Sequence, residues 1–545
     1  MNKILIKGVA RIITIMPRKH LHRMHPSSRQ TTVGPDKELV QSFWHDKAFK
    51  SLKEHLNRDL GGNKLAKNVI FFIGDGMSLA TVAAARIYMG QKEGRVGEDE
   101  KMSFEKFPVI GLSNTYCVNA QVADSACSAT AYLGGVKAND GTIGVSASVQ
   151  FQDCKAMNNE TYFVDSIAYQ AMKAGKSAGI VTTTRITHAS PAGAYAHTSC
   201  RNWESDYDMS WDGADPLVCQ DIASQLIKNK PGNMFQVILG GGRKKFYPVT
   251  ERGERLDGKN LVDDWKKGKA SAGGSYKYVE NKVELLAAVV NKTENIFGLF
   301  HDSHMDYHLL AKETQPTLED MTEAAIKVLS TNENGFFLFV EGGRIDHAHH
   351  DTQAHLALDE TVEMAKAVDK ALSLTNSADT LIVVSSDHSH TLTIAGYPSR
   401  GNDILGAANL YSADDKLEYI TLSYANGPGY RPEHVNADTH ELERPDVAKE
   451  ADFIARKPEV MFPGMVPINS ETHGGEDVAV FAHGPWQHLF TGSYEQNLIP
   501  HLMGYAMCLD EELYGCSSGN QFSSKLQILI SAWIALLFTT LFLQR

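Results

Sequence analysis

Short apolar runs that end in polar residues alternate with stretches of helical periodicity along most of this chain. Residues 67–73 (KNVIFFI) form one such run, which stops at Gly74-Asp75-Gly76, and 79–89 then repeats apolar positions at helical spacing. Further buried-type strands are expected at 177–183, 236–239, 336–340 and 380–385. Helical patterns lie between them at 162–173, 318–330 and 352–374, and residues 36–57 read as an amphipathic helix ahead of the first strand. Alternation of this kind predicts an α/β fold with a mostly parallel central sheet flanked by helices. The pattern breaks over 396–469, where charges and turn residues such as Asn426-Gly427-Pro428-Gly429 predominate. That stretch reads as an inserted surface subdomain. The expected organisation is a leader over 1–35, a helical arm over 36–66, an α/β domain over 67–395 and 470–516, the insert, and a terminal segment over 517–545.

Composition narrows the function classes. Hydrophobic residues make up 43% and charged residues 22% of the 545, values that exclude a disordered or fibrous chain. The net charge of −12 disfavours a nucleic-acid partner. Seven Cys in so long a chain do not make a disulfide scaffold, and the odd number leaves at least one without an intrachain partner. Asn-x-Ser/Thr sequons occur at Asn159 and Asn291. The basic, mixed leader reads either as a disordered segment or as a poor signal sequence. The far end is clearer. Residues 526–543 form an apolar run preceded by a polar spacer and by the small residues Ser517, Ser518 and Gly519. That order reads as a GPI-attachment signal, with a retained single span or a core helix as the alternatives.

The chemistry gathers where the predicted strands end, the place where open α/β sheets bind ligands. GDGM follows the first run, EGGRIDHAHHD follows 336–340, and SDHSH follows 380–385. Asp346 and His350 are four residues apart, so a helical turn presents both on one face, a geometry suited to Zn²⁺. Asp387-His388 offers a second oxygen–nitrogen pair, and Asp75 and Glu341 add carboxylates. So many acids at one sheet edge require cations, and paired metals are a known device for phosphoryl transfer. Ser125 opens a small-residue segment in which an ordinary helix cap is the plainer reading.

Seven blocks together resemble the metal-dependent alkaline phosphatases, and most closely the animal, GPI-anchored forms. They are GDGMS at 74–78, ADSACSATA at 123–131, THASPAG at 187–193, RNW at 201–203, EGGRIDHAHH at 341–350, SDHSH at 386–390 and ETHGGEDVAVFAHGP at 471–485. The resemblance covers roughly 44–516. It implies that Ser125 becomes phosphorylated and that Arg201 clamps the phosphate. It also implies two Zn²⁺ and one Mg²⁺ per subunit. Asp346, His350 and His473 would hold one Zn²⁺, Asp75, Asp387 and His388 the other, and Asp75, Ser190 and Glu341 the Mg²⁺. Asp124, His188, His347 and His390 would support these groups from behind. The same resemblance implies Cys154–Cys219 and Cys508–Cys516 disulfides, leaving Cys117, Cys127 and Cys200 as thiols, with Cys127 a buried bystander.

At the family's calcium site this chain has Phe300 followed by His301, with Gln315 or Pro316 near the expected acid, so that ion is not expected. Phosphodiesterases and sulfatases use similar metal logic but usually lack the Arg and the Mg²⁺ position, and Ser190, Glu341 and Arg201 argue against them. An idle binding scaffold should have lost ligands. The expectation is therefore a homodimeric, GPI-anchored extracellular phosphatase acting on small phosphate monoesters through a phosphoserine.

Overall fold

The computed structural model describes residues 36–56, 64–409, 415–436 and 440–516. The leader and the GPI-type segment lie outside these residues. Among the described residues, no helix is long and apolar enough to cross a membrane.

The first eight strands are β1 (Asn68–Gly74), β2 (Val109–Asn114), β3 (Ser177–Arg185), β4 (Val237–Gly241), β5 (Tyr276–Val279), β6 (Asn295–Leu299), β7 (Phe336–Gly342) and β8 (Thr380–Ser385). Seven short strands follow: β9 (Ser389–His390), β10 (Leu392–Ile394), β11 (Leu422–Gly427), β12 (His434–Val435), β13 (Leu442–Glu443), β14 (Gly464–Pro467) and β15 (His473–Gly474). The series closes with β16 (Val478–His483) and β17 (Gly492–Glu495). Ten strands form one sheet in the order β17-β2-β16-β8-β1-β7-β3-β4-β6-β5. Only β16 runs against its neighbours, pairing antiparallel with β2 and β8. The central sheet is the mostly parallel one expected.

The apolar runs become central strands because they are buried on both faces. In β1, Ile70 and Phe72 pack to one side with the helices Leu79–Lys92, Leu318–Leu329 and Ala354–Leu374. Val69, Phe71 and Ile73 pack to the other, with Gln41–Leu56, Ser125–Gly134 and Ile167–Lys173. Phe71 and Phe72 are fully buried, each contributing about 2–3 kcal/mol of transfer free energy.

The helix expected over 162–173 begins only at Ile167, because Ser166 caps it through its hydroxyl. Strands β2, β5, β6, β16 and β17 were not expected. Of these, β2 alternates buried and exposed positions and β5 lies at the sheet edge, so neither forms a continuous apolar run. The stretch 396–469 contributes β11 and β14 to a three-stranded sheet with β10, which lies just ahead of it in sequence. It also forms the β12–β13 ribbon.

Candidate active site

Four adjacent strands, β8-β1-β7-β3, deliver the candidate residues at their carboxyl ends. Ile73 of β1 lies between Glu341 of β7 and Ser385 of β8, and Glu341 in turn pairs with Thr182 of β3. The sequence just past these strand ends carries Asp75, the helix Arg344–His350, Asp387-His388, and His188 with Ser190. Gly76 has a φ of +68°, and a Cβ there would lie 2.3 Å from the His390 ring, so only glycine lets Asp75 sit this close to the imidazoles.

The first group comprises Asp346, His350 and His473, with His390 alongside. His350 Nδ1 lies 2.5 Å from the Glu471 carbonyl and His473 Nδ1 lies 2.7 Å from the Ala123 carbonyl. A carbonyl only accepts, so both Nδ1 atoms carry the proton. Burial pushes both imidazoles below their usual range and keeps them neutral. Their unprotonated Nε2 atoms then face each other at 3.1 Å, each 3.3 Å from Asp346 Oδ1. Lone pairs so placed repel unless a cation lies among them, and histidines held from behind by carbonyls are typical metal ligands. His390 differs. Burial would push it down, but Glu471 and Asp346 on its two nitrogens hold it protonated, up to about 10. It therefore donates to Asp346.

The second group is Asp75, Asp387 and His388. Asp387 Oδ1 accepts from the amides of Gly76 and His388, both at 2.9 Å, and Oδ2 lies 3.0 Å from His388 Nε2. That nitrogen is 3.6 Å from Asp75 Oδ1 and 3.3 Å from Ser125 Oγ. The third group is oxygen-rich. Glu341 Oε2 accepts from Thr182 and Thr184, while Oε1 has no hydrogen-bond partner. The Ser190 hydroxyl and both oxygens of the fully buried Asp75 are likewise unpartnered. Burial, then Asp387, raises the Asp75 carboxyl well above its usual range, and burial raises Glu341 to about 7.

Orphaned buried oxygens of this kind cost free energy unless something binds them. The donor sets fit divalent cations: mixed nitrogen and oxygen in the first two groups, oxygen in the third.

Ser125 opens the helix Ser125–Gly134, and Asp124 caps it by accepting from the Cys127 amide at 3.0 Å. The other Asp124 oxygen accepts from Arg201 Nη1 at 2.9 Å, and Arg201 Nη2 lies 3.2 Å from His188 Nε2. Burial and then Arg201 lower His188 to about 3, so it is neutral beside the guanidinium. His347 Nδ1 meets Arg344 Nη1 at 2.8 Å. A cavity of about 550 Å³ opens here, lined by His347, His350, Arg344, Arg185, Glu204 and Trp211 among others.

The structure thus brings together all the residues expected at the site. It adds Glu471, Thr182, Thr184, His304 and Arg344. Glu471 falls inside a quoted block without a role, and nothing in the sequence around His304 signals its 4.1 Å ring contact with His347.

The match to the alkaline phosphatase family model spans residues 66–509. The chain belongs to the alkaline phosphatase family. The membrane-bound alkaline phosphatase of Bombyx mori is 46% identical over 539 residues, covering 97% of this chain and 96% of the relative. The tissue-nonspecific isozyme of Homo sapiens is 44% identical over 502 residues, covering 90% of this chain and 93% of the relative. Among solved structures, the Thermus thermophilus alkaline phosphatase superposes with a TM-score of 0.58 at 23% identity, over 84% of this chain and 94% of that one. At that identity the likeness speaks for the fold. This alkaline phosphatase is therefore a phosphatase with the family's dependence on metal ions.

The cysteines require one correction. Cys154–Cys219 and Cys508–Cys516 are disulfides, but so is Cys117–Cys127, the pair expected as thiols. The loop after β2 folds back so that the two Cα atoms are 5.8 Å apart, within bonding range. Cys200 is a buried thiol. Asn159 and Asn291 are both exposed.

Proposed function

We propose that this alkaline phosphatase hydrolyses phosphate monoesters through a phosphoserine at Ser125. The observation that carries the reading is the convergence of unpartnered buried carboxylate oxygens and close-set, unprotonated imidazole nitrogens beside a helix-opening serine and a buried arginine. Asp346, His350 and His473 would hold one Zn²⁺, Asp75, Asp387 and His388 the other, and Asp75, Ser190 and Glu341 a Mg²⁺. When bound, such ions supply Lewis-acid charge that makes a serine hydroxyl or a water nucleophilic at moderate pH and neutralises the phosphoryl oxygens.

The protein's own groups do the rest. The Arg201 guanidinium, steadied by Asp124, offers parallel donors to two phosphoryl oxygens, a fork that lysine cannot match. Ser125 Oγ attacks phosphorus as the ester P–O bond breaks, and the leaving alkoxide takes up a proton to depart as the alcohol. Water then attacks the phosphoserine, returning Ser125 Oγ–H and releasing inorganic phosphate. His188 stays neutral and aligns the clamp.

The placement at the extracellular membrane face rests on the small-residue, spacer and apolar-run order of 517–545 and on the membrane-bound relative. Disulfides fit an oxidising compartment. A homodimer fits the exposed apolar side chains of the insert, among them Tyr397, Val435, Ile454 and Met465. Turnover of p-nitrophenyl phosphate at alkaline pH, abolished by a chelator and restored by zinc with magnesium, tests the central reading. No turnover in zinc- and magnesium-loaded protein would refute it.

A further inference from the structure

The Cys117–Cys127 bond stands where it can act on the reaction. Cys127 is two residues after Ser125, in the first turn of the helix Ser125–Gly134, and Cys117 is three residues beyond the end of β2. The bond therefore cinches the connection between that strand and that helix, with a sequence separation of 10. The strand-to-helix connection includes Gln121 and Val122, which are exposed. Beneath it the packing is thin. Cys117, Ala123, Cys127 and Ala138 form a small buried cluster of their own, with Ala120 against it. Side chains of this size bury little apolar area, so they hold the turn weakly without the covalent link.

Three functional groups hang on that turn. The Ala123 carbonyl accepts from His473 Nδ1 at 2.7 Å and fixes which nitrogen His473 presents. Asp124 holds Arg201 at 2.9 Å with one carboxylate oxygen, while the other is held at 3.0 Å by the Cys127 amide itself. Ser125 lies between them, 3.3 Å from His388 Nε2. The amide that caps the helix and the sulfur that forms the bond belong to the same residue. A first helical turn has unsatisfied amides and opens readily when it is not fixed.

We propose that the Cys117–Cys127 disulfide positions the phosphate-binding machinery, holding the Ala123–Cys127 turn so that Arg201 and Ser125 keep one fixed relation to the bound phosphoryl group. The inference rests on the roles given above to Ser125 and Arg201. Neither cysteine touches the substrate; they act through Asp124 and Ala123. Small displacements of a positioning group weaken phosphate binding and slow attack.

The test uses the full chain, oxidised and metal-loaded, with Cys117→Ser, which keeps the size of the side chain, and the double variant Cys117→Ala/Cys127→Ala. The readouts are the inhibition constant of inorganic phosphate, KM and kcat for p-nitrophenyl phosphate, and thermal stability. Both variants should raise the phosphate inhibition constant and KM at least fivefold. Cys508→Ala/Cys516→Ala, which removes a bond near the amino-terminal end of β1, where the Ala66 amide meets the Ala506 carbonyl, should lower thermal stability while leaving the inhibition constant within twofold. An inhibition constant within twofold of wild type in Cys117→Ser, whatever its melting temperature, overturns the proposal. If neither variant folds, graded reduction of the wild-type enzyme decides, with bond loss followed by alkylation and peptide mass. A constant that climbs with loss of the 117–127 bond supports the proposal, and one that stays level overturns it. Wild-type protein without turnover would instead remove the phosphatase reading beneath it.

Discussion

Asp124 performs two tasks with two oxygens, and two substitutions separate them. Asp124→Asn keeps an oxygen for the Cys127 amide but replaces the anion facing Arg201 with a neutral amide. Asp124→Ala removes both contacts. Loss of an N-cap costs about 1 kcal/mol, so the alanine variant should be less stable than the asparagine variant by about that amount. Both lose the ion pair, whose side chains are 6% and 7% exposed. Removing one partner of a fully buried pair costs about 3–5 kcal/mol. Here the guanidinium keeps a second contact, with His188 Nε2, so the lower end applies, about 3 kcal/mol. The same loss frees the fork to rotate. One misdirected charge-assisted hydrogen bond is worth about 1.5–3 kcal/mol, or at least tenfold in the inhibition constant of inorganic phosphate. Denaturant midpoints of the three proteins, followed by circular dichroism, and phosphate inhibition of p-nitrophenyl phosphate turnover provide the measurements. If Asp124→Asn matches wild type in both midpoint and inhibition constant, the Asp124–Arg201 link does not orient the clamp.

Ser125→Ala should eliminate the covalent phosphoenzyme and lower kcat by roughly a thousandfold or more, leaving direct attack by water; phosphate label trapped at low pH and mapped to any other residue would contradict this. His473→Ala should deplete one zinc per subunit, whereas Asp75→Ala should deplete zinc and magnesium together; elemental analysis showing equal losses in the two variants would break the assignment. Burial lowers the Lys137 ammonium to about 8, so below that pH both folded and unfolded chains carry its proton and the burial cost is fully present. Between about pH 8 and the ordinary lysine value near 10.5, only the unfolded chain keeps the proton, and stability gains up to about 3 kcal/mol as pH rises. Lys137→Met should lack that gain, which parallel denaturant-midpoint profiles of the two proteins from pH 7.5 to 10.5 would disprove. A phosphatidylinositol-specific phospholipase should release active enzyme from cells, and activity retained on the membrane with a Trp533-containing peptide would establish a retained span.

The parallel sheet was legible because its central strands are buried on both faces and read as uninterrupted apolar runs. Strands β1, β7 and β8 were located to within two residues at either end. Strand β2 escaped because Ile110 and Leu112 face outward among buried positions. At the site, spacing alone placed Asp346 and His350 together, since one helical turn fixes that relation. Ser125 was different. Its local sequence suggests only a helix start, and its role came from the resemblance of seven separate blocks. The third disulfide was missed because Cys117 belongs to none of those blocks, and a loop that folds back onto a helix leaves no periodic trace. His304 likewise joins the site through tertiary packing alone, whereas Arg344 stands one helical turn before His347 on the same helix, inside a quoted block that assigns it no role.

Asp75 and His473 meet at one sheet edge although about 400 residues separate them along the chain. His473 also lies beyond the whole inserted subdomain, and Glu471, whose carbonyl steadies His350, sits at the same return point. During synthesis the strands β1, β3 and β7 can dock while the chain is still emerging, yet the first group of imidazoles stays incomplete until the insert has been made and has turned back. Completion of that group is then a late event in the life of each molecule, and a chain stalled within 396–469 would carry the strands from β8 to β5 in place, without β16 and β17, and with that ligand set unfinished. A defect far out on the surface would thus be read out as a failure to take up metal.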